Sequence, residues 1–203
     1  VSLASDNSTI AVTFSEAVYT TTDASSALVV GDFAFSISGG TATLSSATPS
    51  SISISGNVYT LGISFSVTPD GSETLTVNPA SATAIYDAGN NGAAASQSNN
   101  TATLNDQTAP TISSVSLASD NSTIAVTFSE AVYTTTDAAT ALVVGDFAFS
   151  ISGGTATLTE ENKTPSSISI SGNVYTLGIS LSGTPDGSET LTVNPASATA
   201  IYD

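Results

Sequence analysis

The sequence predicts an all-β protein built from two tandem antiparallel β-sandwiches. First, apolar and polar side chains alternate in short stretches such as residues 9–14, where Ile10, Val12 and Phe14 share one face. Second, the turn-forming residues Gly, Pro, Asp and Asn separate these stretches, and no segment keeps a 3.6-residue hydrophobic period long enough for a helix. Third, most of the chain occurs twice, which predicts one structural unit per copy.

The repeat sets the predicted domain boundaries. Residues 1–44 recur at 115–158 with two differences, and residues 49–87 recur at 165–203, again with two. Between these blocks the four residues 45–48 become the six residues 159–164, and such a length change predicts a surface excursion. We therefore predict domains at 1–106 and 107–203. We also expect the first copy to lack the start of its first strand and the second to stop before its last strand.

Alternation and turn residues place seven strands in the first copy. We expect strands A to G at residues 1–4, 9–14, 33–38, 41–55, 57–65, 73–78 and about 97–105. Seven short strands in ~100 residues are typical of a two-sheet sandwich. Residues 41–55 could form two strands or one strand interrupted by a bulge. The length change between the copies falls inside this stretch, which favours one strand.

Composition narrows the possible functions. The net charge is −16, from one Lys and 17 acidic residues, so phosphate-rich partners such as nucleic acid and anionic lipid are not expected. No apolar run approaches the 18 residues of a membrane span, so we predict no membrane insertion. The chain has neither His nor Cys, and the same acids recur in both copies, so we do not expect an enzyme. Oxygen ligands without nitrogen or sulfur favour calcium among metal ions.

Several segments together resemble a known family. DNSTIAVTFSEAVY, GDFAFSISGG, SGNVYTL, ETLTVNP, IYDAGN and TAPTI are similar to the bacterial Ig-like repeats of giant cell-surface proteins, including the SwmB-type repeat. The resemblance covers nearly the whole chain. It implies two Ig-like sandwiches of about seven strands each, an extracellular location at the cell surface, and a place in an adhesin, surface layer or filament. It also implies calcium as a cofactor.

Because successive strands run in opposite directions, we predict that several residues with oxygen-bearing side chains lie at one end of each sandwich. In an antiparallel order, the ends of strands B and F lie beside the starts of strands C and G. The expected metal ligands of the first copy are Glu16, Asp32, Asp87 and Asn90, and those of the second copy are Glu130, Asp146 and Asp203, with Asp106 arriving on the linker. We predict that calcium bound there stiffens the joints between repeats. The alternative is that individual acids, such as Asp23 and Glu73, are simply exposed and keep the sandwich soluble.

The sequence therefore predicts structural repeats that act as a spacer in a long surface protein, filament or sheath. Their partners would be neighbouring repeats of the same chain and like chains in a filament or sheath. Two alternatives remain open at this point. The chain could be a polymer subunit completed by a strand donated between chains, or a ligand-binding adhesin domain, for which residues 159–164 are the one local candidate.

Overall fold

The computed structural model describes residues 1–203, and its regular secondary structure is almost entirely β-strand. It contains two compact units, Val1–Thr108 and Ala109–Asp203, so the division falls two residues after the predicted one. The helices are three 3₁₀ turns, η1 (Val30–Asp32), η2 (Val144–Asp146) and η3 (Glu160–Lys163). None of these helices is long enough or apolar enough to cross a bilayer.

The first unit is a sandwich of two antiparallel sheets. Its strands are β1 (Ser2–Leu3), β2 (Thr9–Thr13), β3 (Val18–Tyr19), β4 (Phe33–Ser38), β5 (Thr43–Leu44), β6 (Ile52–Ser55), β7 (Val58–Gly62), β8 (Phe65–Val67), β9 (Thr74–Pro79), β10 (Tyr86–Asp87) and β11 (Thr101–Thr103). One sheet has the order β1-β2-β7-β6 and the other β11-β9-β4. With strands lettered A to G along the chain, these are the ABED and CFG sheets of a seven-strand Ig-like sandwich. The predicted fold class is confirmed.

The stretch predicted as one strand, residues 41–55, is two strands. β6 pairs with β7 in the first sheet, whereas β5 pairs with β8 in a separate short ladder. Residues 45–51 leave the ladder between them, and the Ala47 carbonyl accepts the amide hydrogen of Phe35 in β4 at 2.6 Å. The prediction of a single strand was wrong because this hydrogen bond ties the excursion to the edge of the opposite sheet.

Alternating side chains of both sheets form the core of the first unit. Phe14, Phe33 and Tyr59 pack together at one end of the core, and the Tyr59 ring meets Phe14 edge-on with centroids 5.5 Å apart. The Tyr59 hydroxyl donates a hydrogen bond to the Val18 carbonyl at 3.3 Å, so burial of the ring leaves no unpaired polar group. The aromatic residues thus join the two sheets and the short β3 strand.

The second unit repeats this sandwich with one edge uncovered. Its strands are β12 (Ile112–Leu117), β13 (Thr123–Phe128), β14 (Phe147–Ser152), β15 (Ile168–Ser171), β16 (Val174–Gly178) and β17 (Thr190–Pro195). The first sheet again has four strands, β12-β13-β16-β15, but the second contains only β14 and β17. In the first unit, β9 pairs with both β4 and β11, whereas its counterpart β17 pairs with β14 alone. Accordingly, Leu75 is fully buried and its counterpart Leu191 only half-buried.

The length difference between the copies lies on the surface, as predicted. Residues 45–48 are exposed in the first unit. In the second unit the longer segment forms η3, where Lys163 contacts Glu160 at 2.6 Å and both side chains are exposed. An exposed i,i+3 ion pair contributes little to stability, so the excursion leaves the core unchanged.

Replacing Phe147 by Ala should lower the free energy of unfolding of the second unit by about 3–5 kcal/mol, because the side chain is 2% exposed and packs on Phe128 and Tyr175. Urea unfolding followed by circular dichroism measures the change. The matched control is Val143→Ala, four residues earlier and 53% exposed, for which we expect a change within about 0.5 kcal/mol. Equal effects of the two substitutions would contradict this core assignment.

Candidate metal site and carboxylate turns

Two of the predicted ligands in the first unit line one cavity. Glu16, which follows β2, and Asp87, which ends β10, both border a cavity of about 330 Å³ at the end of the sandwich. Phe33 and Pro79 border it too, and Asp32 directly precedes Phe33 in the chain. Glu16 and Asp87 therefore lie at one end of the sandwich, whereas Asp32 and Asn90 do not line the cavity.

Asp32 and its counterpart Asp146 close their own turns. One carboxylate oxygen of Asp32 accepts the amide hydrogen of Val29 at 2.8 Å, and Asp146 does the same with Val143 at 2.8 Å. Each acid thereby stabilises a 3₁₀ turn that leads into a core strand. The carboxylates of Glu16, Asp32 and Asp87 do not all approach within 4.8 Å of one another, so the three acids are not assembled as a ligand cluster.

Asn91, rather than the predicted Asn90, donates hydrogen bonds to the carboxylate of Asp87. The two Asp87 oxygens accept hydrogen bonds from the side-chain amide of Asn91 at 2.9 Å and from its backbone amide at 2.8 Å. These two bonds, the side-chain bond first, hold the pKa of Asp87 below its ordinary value. Asn90 has a positive φ of 66° and supplies the turn that brings Asn91 back. The Asp-Ala-Gly-Asn-Asn spacing was the available signal for Asn91.

In the second unit two predicted ligands are close together. Oxygens of Glu130 and Asp203 lie within 4.8 Å of each other, and these residues are the counterparts of Glu16 and Asp87. Glu130 is half-buried and accepts a hydrogen bond from the Ser129 hydroxyl at 3.3 Å. A cation between two such carboxylates would offset their mutual repulsion. Calcium requires six to eight oxygens, so carbonyl groups or water would have to complete the coordination.

Asp106 belongs to the first unit. Its backbone forms an isolated antiparallel β-bridge with the backbone of Asp70, and its carboxylate accepts the amide hydrogen of Thr108 at 2.8 Å. It precedes the first residue of the second unit, Ala109, by three positions in the chain. Its predicted participation in a site of the second unit stays a prediction.

The structure assigns a different role to Glu73 than the sequence predicted. This residue, expected to be exposed, is fully buried, whereas Asp23 is exposed as expected. One Glu73 oxygen accepts the amide hydrogens of Thr41 at 3.0 Å and Ala42 at 2.8 Å, and the other accepts that of Asp70 at 3.1 Å. Backbone amides therefore satisfy both oxygens of the buried side chain. The turn after β4 is thereby joined to the turn before β9.

Glycines make room for this carboxylate. Gly39 and Gly40 have positive φ values of 76° and 52°. A Cβ on Gly40 would overlap the Glu73 carboxyl group, and one on Gly39 would lie 2.7 Å from the Ser72 carbonyl oxygen. The sequence signal was the pair of segments SGGTA and PDGSE, which occurs unchanged in both copies.

Glu189 repeats this turn in the second unit. Its carboxylate accepts amide hydrogens from Thr155 and Ala156, both at 2.9 Å, and from Asp186 at 3.1 Å. The bond from Ala156, followed by those from Asp186 and Thr155, lowers the pKa of Glu189 to about 2 although desolvation opposes the shift. Glu189 is half-buried where Glu73 is fully buried. In the first unit Leu104, just after β11, donates its amide hydrogen to the Glu73 carbonyl at 2.9 Å and helps to cover this residue.

Comparison of the chain with protein-family models, with curated proteins and with solved structures finds no significant match. The function of the chain is therefore inferred from its own residues and from the geometry of the two units.

Replacing Gly40 by Ala should destabilise the first unit by about 2 kcal/mol or more, from backbone strain at positive φ and displacement of the Glu73 carboxylate. Gly31→Ala is the matched control, because a Cβ there would meet no atom within 4 Å. Urea unfolding midpoints of the two variants measure the difference. A Gly40→Ala chain as stable as Gly31→Ala would refute the assigned turn.

The second unit should lose stability between about pH 4.5 and pH 2. The pKa of Glu189 is about 2 in the folded chain against 4.5 ordinarily, so the unfolded chain binds the proton first and stability falls as pH falls through this window. Glu189→Gln should reduce this loss of stability at low pH. Near neutral pH the free energy of unfolding of the variant should not change with pH. Unfolding midpoints measured from pH 7 to pH 2 show the effect. The unfolding transition that shifts in the Phe147→Ala variant is the one that belongs to the second unit. Identical pH profiles for the variant and the parent chain would contradict this role.

Proposed function

We propose that the chain is a piece of an array of Ig-like structural repeats, serving as a spacer in a long extracellular surface protein, filament or sheath. The observation that carries this proposal is that two successive units of the chain share the same four-stranded sheet and the same aromatic core. The aromatic core of Phe14, Phe33 and Tyr59 recurs as Phe128, Phe147 and Tyr175, with matching ring distances of 6.4, 5.4 and 6.2 Å in the second unit. A chain that copies a whole domain rather than one site is suited to adding length.

The distribution of differences between the copies supports a mechanical role over recognition of a ligand. The change in chain length is confined to the exposed excursion at 45–48 and 159–164. Buried positions and the carboxylate turns are the same in both copies. Repeats that differ at this surface segment and at only four further positions offer nearly the same side chains to their neighbours, as a spacer or a laterally packed fibre requires.

Calcium is the second part of the proposed function. The Glu130–Asp203 pair, and the counterpart residues Glu16 and Asp87 beside their cavity, supply oxygen ligands at the same end of each sandwich. The net charge of −16 favours the uptake of divalent cations. Bound at the end of each unit, calcium would stiffen the joints between successive repeats.

The melting temperature of the chain should rise in calcium relative to chelator, since an ion that binds only the folded state stabilises it by about 2.7 kcal/mol at 100 times its Kd. Glu130→Gln should reduce the calcium-dependent rise, because it removes a carboxylate charge 4.8 Å or less from Asp203. Calorimetric titration of calcium into the parent chain and the variant measures the sites directly.

The matched control is Glu161→Gln, which removes an exposed acid of η3 and should leave the calcium response unchanged. If calcium neither binds nor shifts the melting temperature, the calcium part of the proposal fails and the spacer role stands alone. Equal loss of response in both variants would point to general charge screening instead of a site.

A further inference from the structure

The turn that follows β10 contains the one Asn-Gly pair of the chain, Asn91-Gly92, and both residues are exposed. In such a pair the backbone nitrogen of the glycine can attack the side-chain amide of the asparagine, because the two groups close a five-membered ring. Glycine offers the least hindered approach, since it has no Cβ and its backbone is the most adaptable. The pair is therefore a candidate for chemical modification of the asparagine side chain.

The attacking group of this reaction, the backbone amide of Gly92, makes no hydrogen bond within the chain. Gly92 lies in an isolated antiparallel bridge whose two backbone bonds come from its neighbours. Asp87 donates its amide hydrogen to the Asn91 carbonyl at 3.0 Å. Ala93 donates to the Ile85 carbonyl at 2.8 Å. In this type of antiparallel pair the facing residues do not bond to each other, so the Gly92 amide stays free to react.

The corresponding amide is occupied at three other asparagines. Asn90 is followed by Asn91, whose amide hydrogen is donated to the Asp87 carboxylate at 2.8 Å. Asn7 and Asn121 are each followed by a serine whose amide donates to an aspartate side chain at 3.0 Å. A nitrogen that donates to a carboxylate must lose a charge-assisted hydrogen bond before it can attack. The geometry therefore distinguishes Asn91 from these three residues.

We propose that Asn91 deamidates spontaneously in the folded chain, with water as the only co-reactant. The Gly92 nitrogen gives up its proton to hydroxide and forms a bond to Cγ of Asn91. The bond between Cγ and Nδ2 breaks, and this nitrogen leaves as ammonia after taking a proton from water. Water then opens the resulting succinimide ring at either carbonyl, which yields aspartate or isoaspartate at position 91.

Deamidation removes the interaction that holds this turn. Nδ2 of Asn91 donates to a carboxylate oxygen of Asp87 at 2.9 Å. In the product a carboxylate takes the place of this donor, so that repulsion between like charges replaces a hydrogen bond. Isoaspartate also lengthens the backbone between the two bonds of the bridge, one of which anchors Ala93 to the buried Ile85. The turn therefore loosens, whether or not calcium binds nearby or the repeats act as a spacer.

Incubation of the intact 203-residue chain in mildly alkaline buffer, followed by mass spectrometry of its peptides, tests the proposal. We expect the mass change from –NH2 to –OH at Asn91, with isoaspartate among the products and a rate that rises with hydroxide concentration. The rate should exceed those at Asn7 and Asn121 about tenfold or more, which corresponds to a barrier lower by about 1.4 kcal/mol. In the modified chain the amides of Asp87 and Ala93 should exchange faster with solvent.

The same chain unfolded in urea is the matched comparison. Unfolding releases the amides that follow Asn7 and Asn121, so deamidation there should accelerate, whereas the rate at Asn91 should change least. Reaction of Asn91 in urea but not in the folded chain would overturn the proposal, because the folded turn would then protect it. Equal rates at Asn91 and Asn7 in the folded chain would overturn it too.

Asn91→Gln is the matched variant, since it keeps a side-chain amide but would need a six-membered ring for the same attack. It should remain unmodified over the period in which the parent chain reacts. Modification of this variant at the parental rate would show that the amide is lost by direct hydrolysis, which contradicts attack by the Gly92 nitrogen.

Discussion

The fold of each unit depends on one carboxylate held by backbone amides. In the first unit Glu73 is fully buried, and its carboxylate oxygens accept amide hydrogens from the turn after β4 and the turn before β9. An ionised group placed there without these amide hydrogens would cost several kcal/mol. Gly39 and Gly40, both with positive φ, leave the room that this carboxylate occupies. The chain thus satisfies a buried carboxyl group with its own backbone amides.

The two units show how much one strand contributes to closely similar sandwiches. With β11 in place, Leu75 and Val77 are buried at 0% and 4% exposure, whereas their counterparts Leu191 and Val193 are only partly buried. Glu189 likewise becomes half-buried. The cluster of aromatic rings at the other end of the core is unaffected, with Phe147 still 2% exposed. Core packing and edge completion are therefore separable features of this repeat.

Alternation of side chains predicted most of this architecture, since burying one face of each strand is what alternation encodes. It placed Phe33, Phe35 and Ile37 on one strand, as observed. It failed at residues 41–55, because the break there depends on a bond from Phe35 to a distant carbonyl. The separate expectation that Glu73 is exposed was wrong, because an isolated acid gives no sign of which amides will surround it. Counting strand directions placed Glu16 and Asp87 at one end of the sandwich, and both line one cavity there. It could not show that the Asp32 carboxylate accepts a hydrogen bond within its own turn.

Native-state hydrogen exchange, read residue by residue, tests the role of the buried carboxylate most directly. The amides of Thr41, Ala42 and Asp70 lie outside the strands, yet all donate to Glu73. They should exchange only when the whole unit unfolds, as slowly as the amides of β9. Exchange of these three amides as fast as in the exposed loop around Asp23 would contradict the claim that this carboxylate organises the fold.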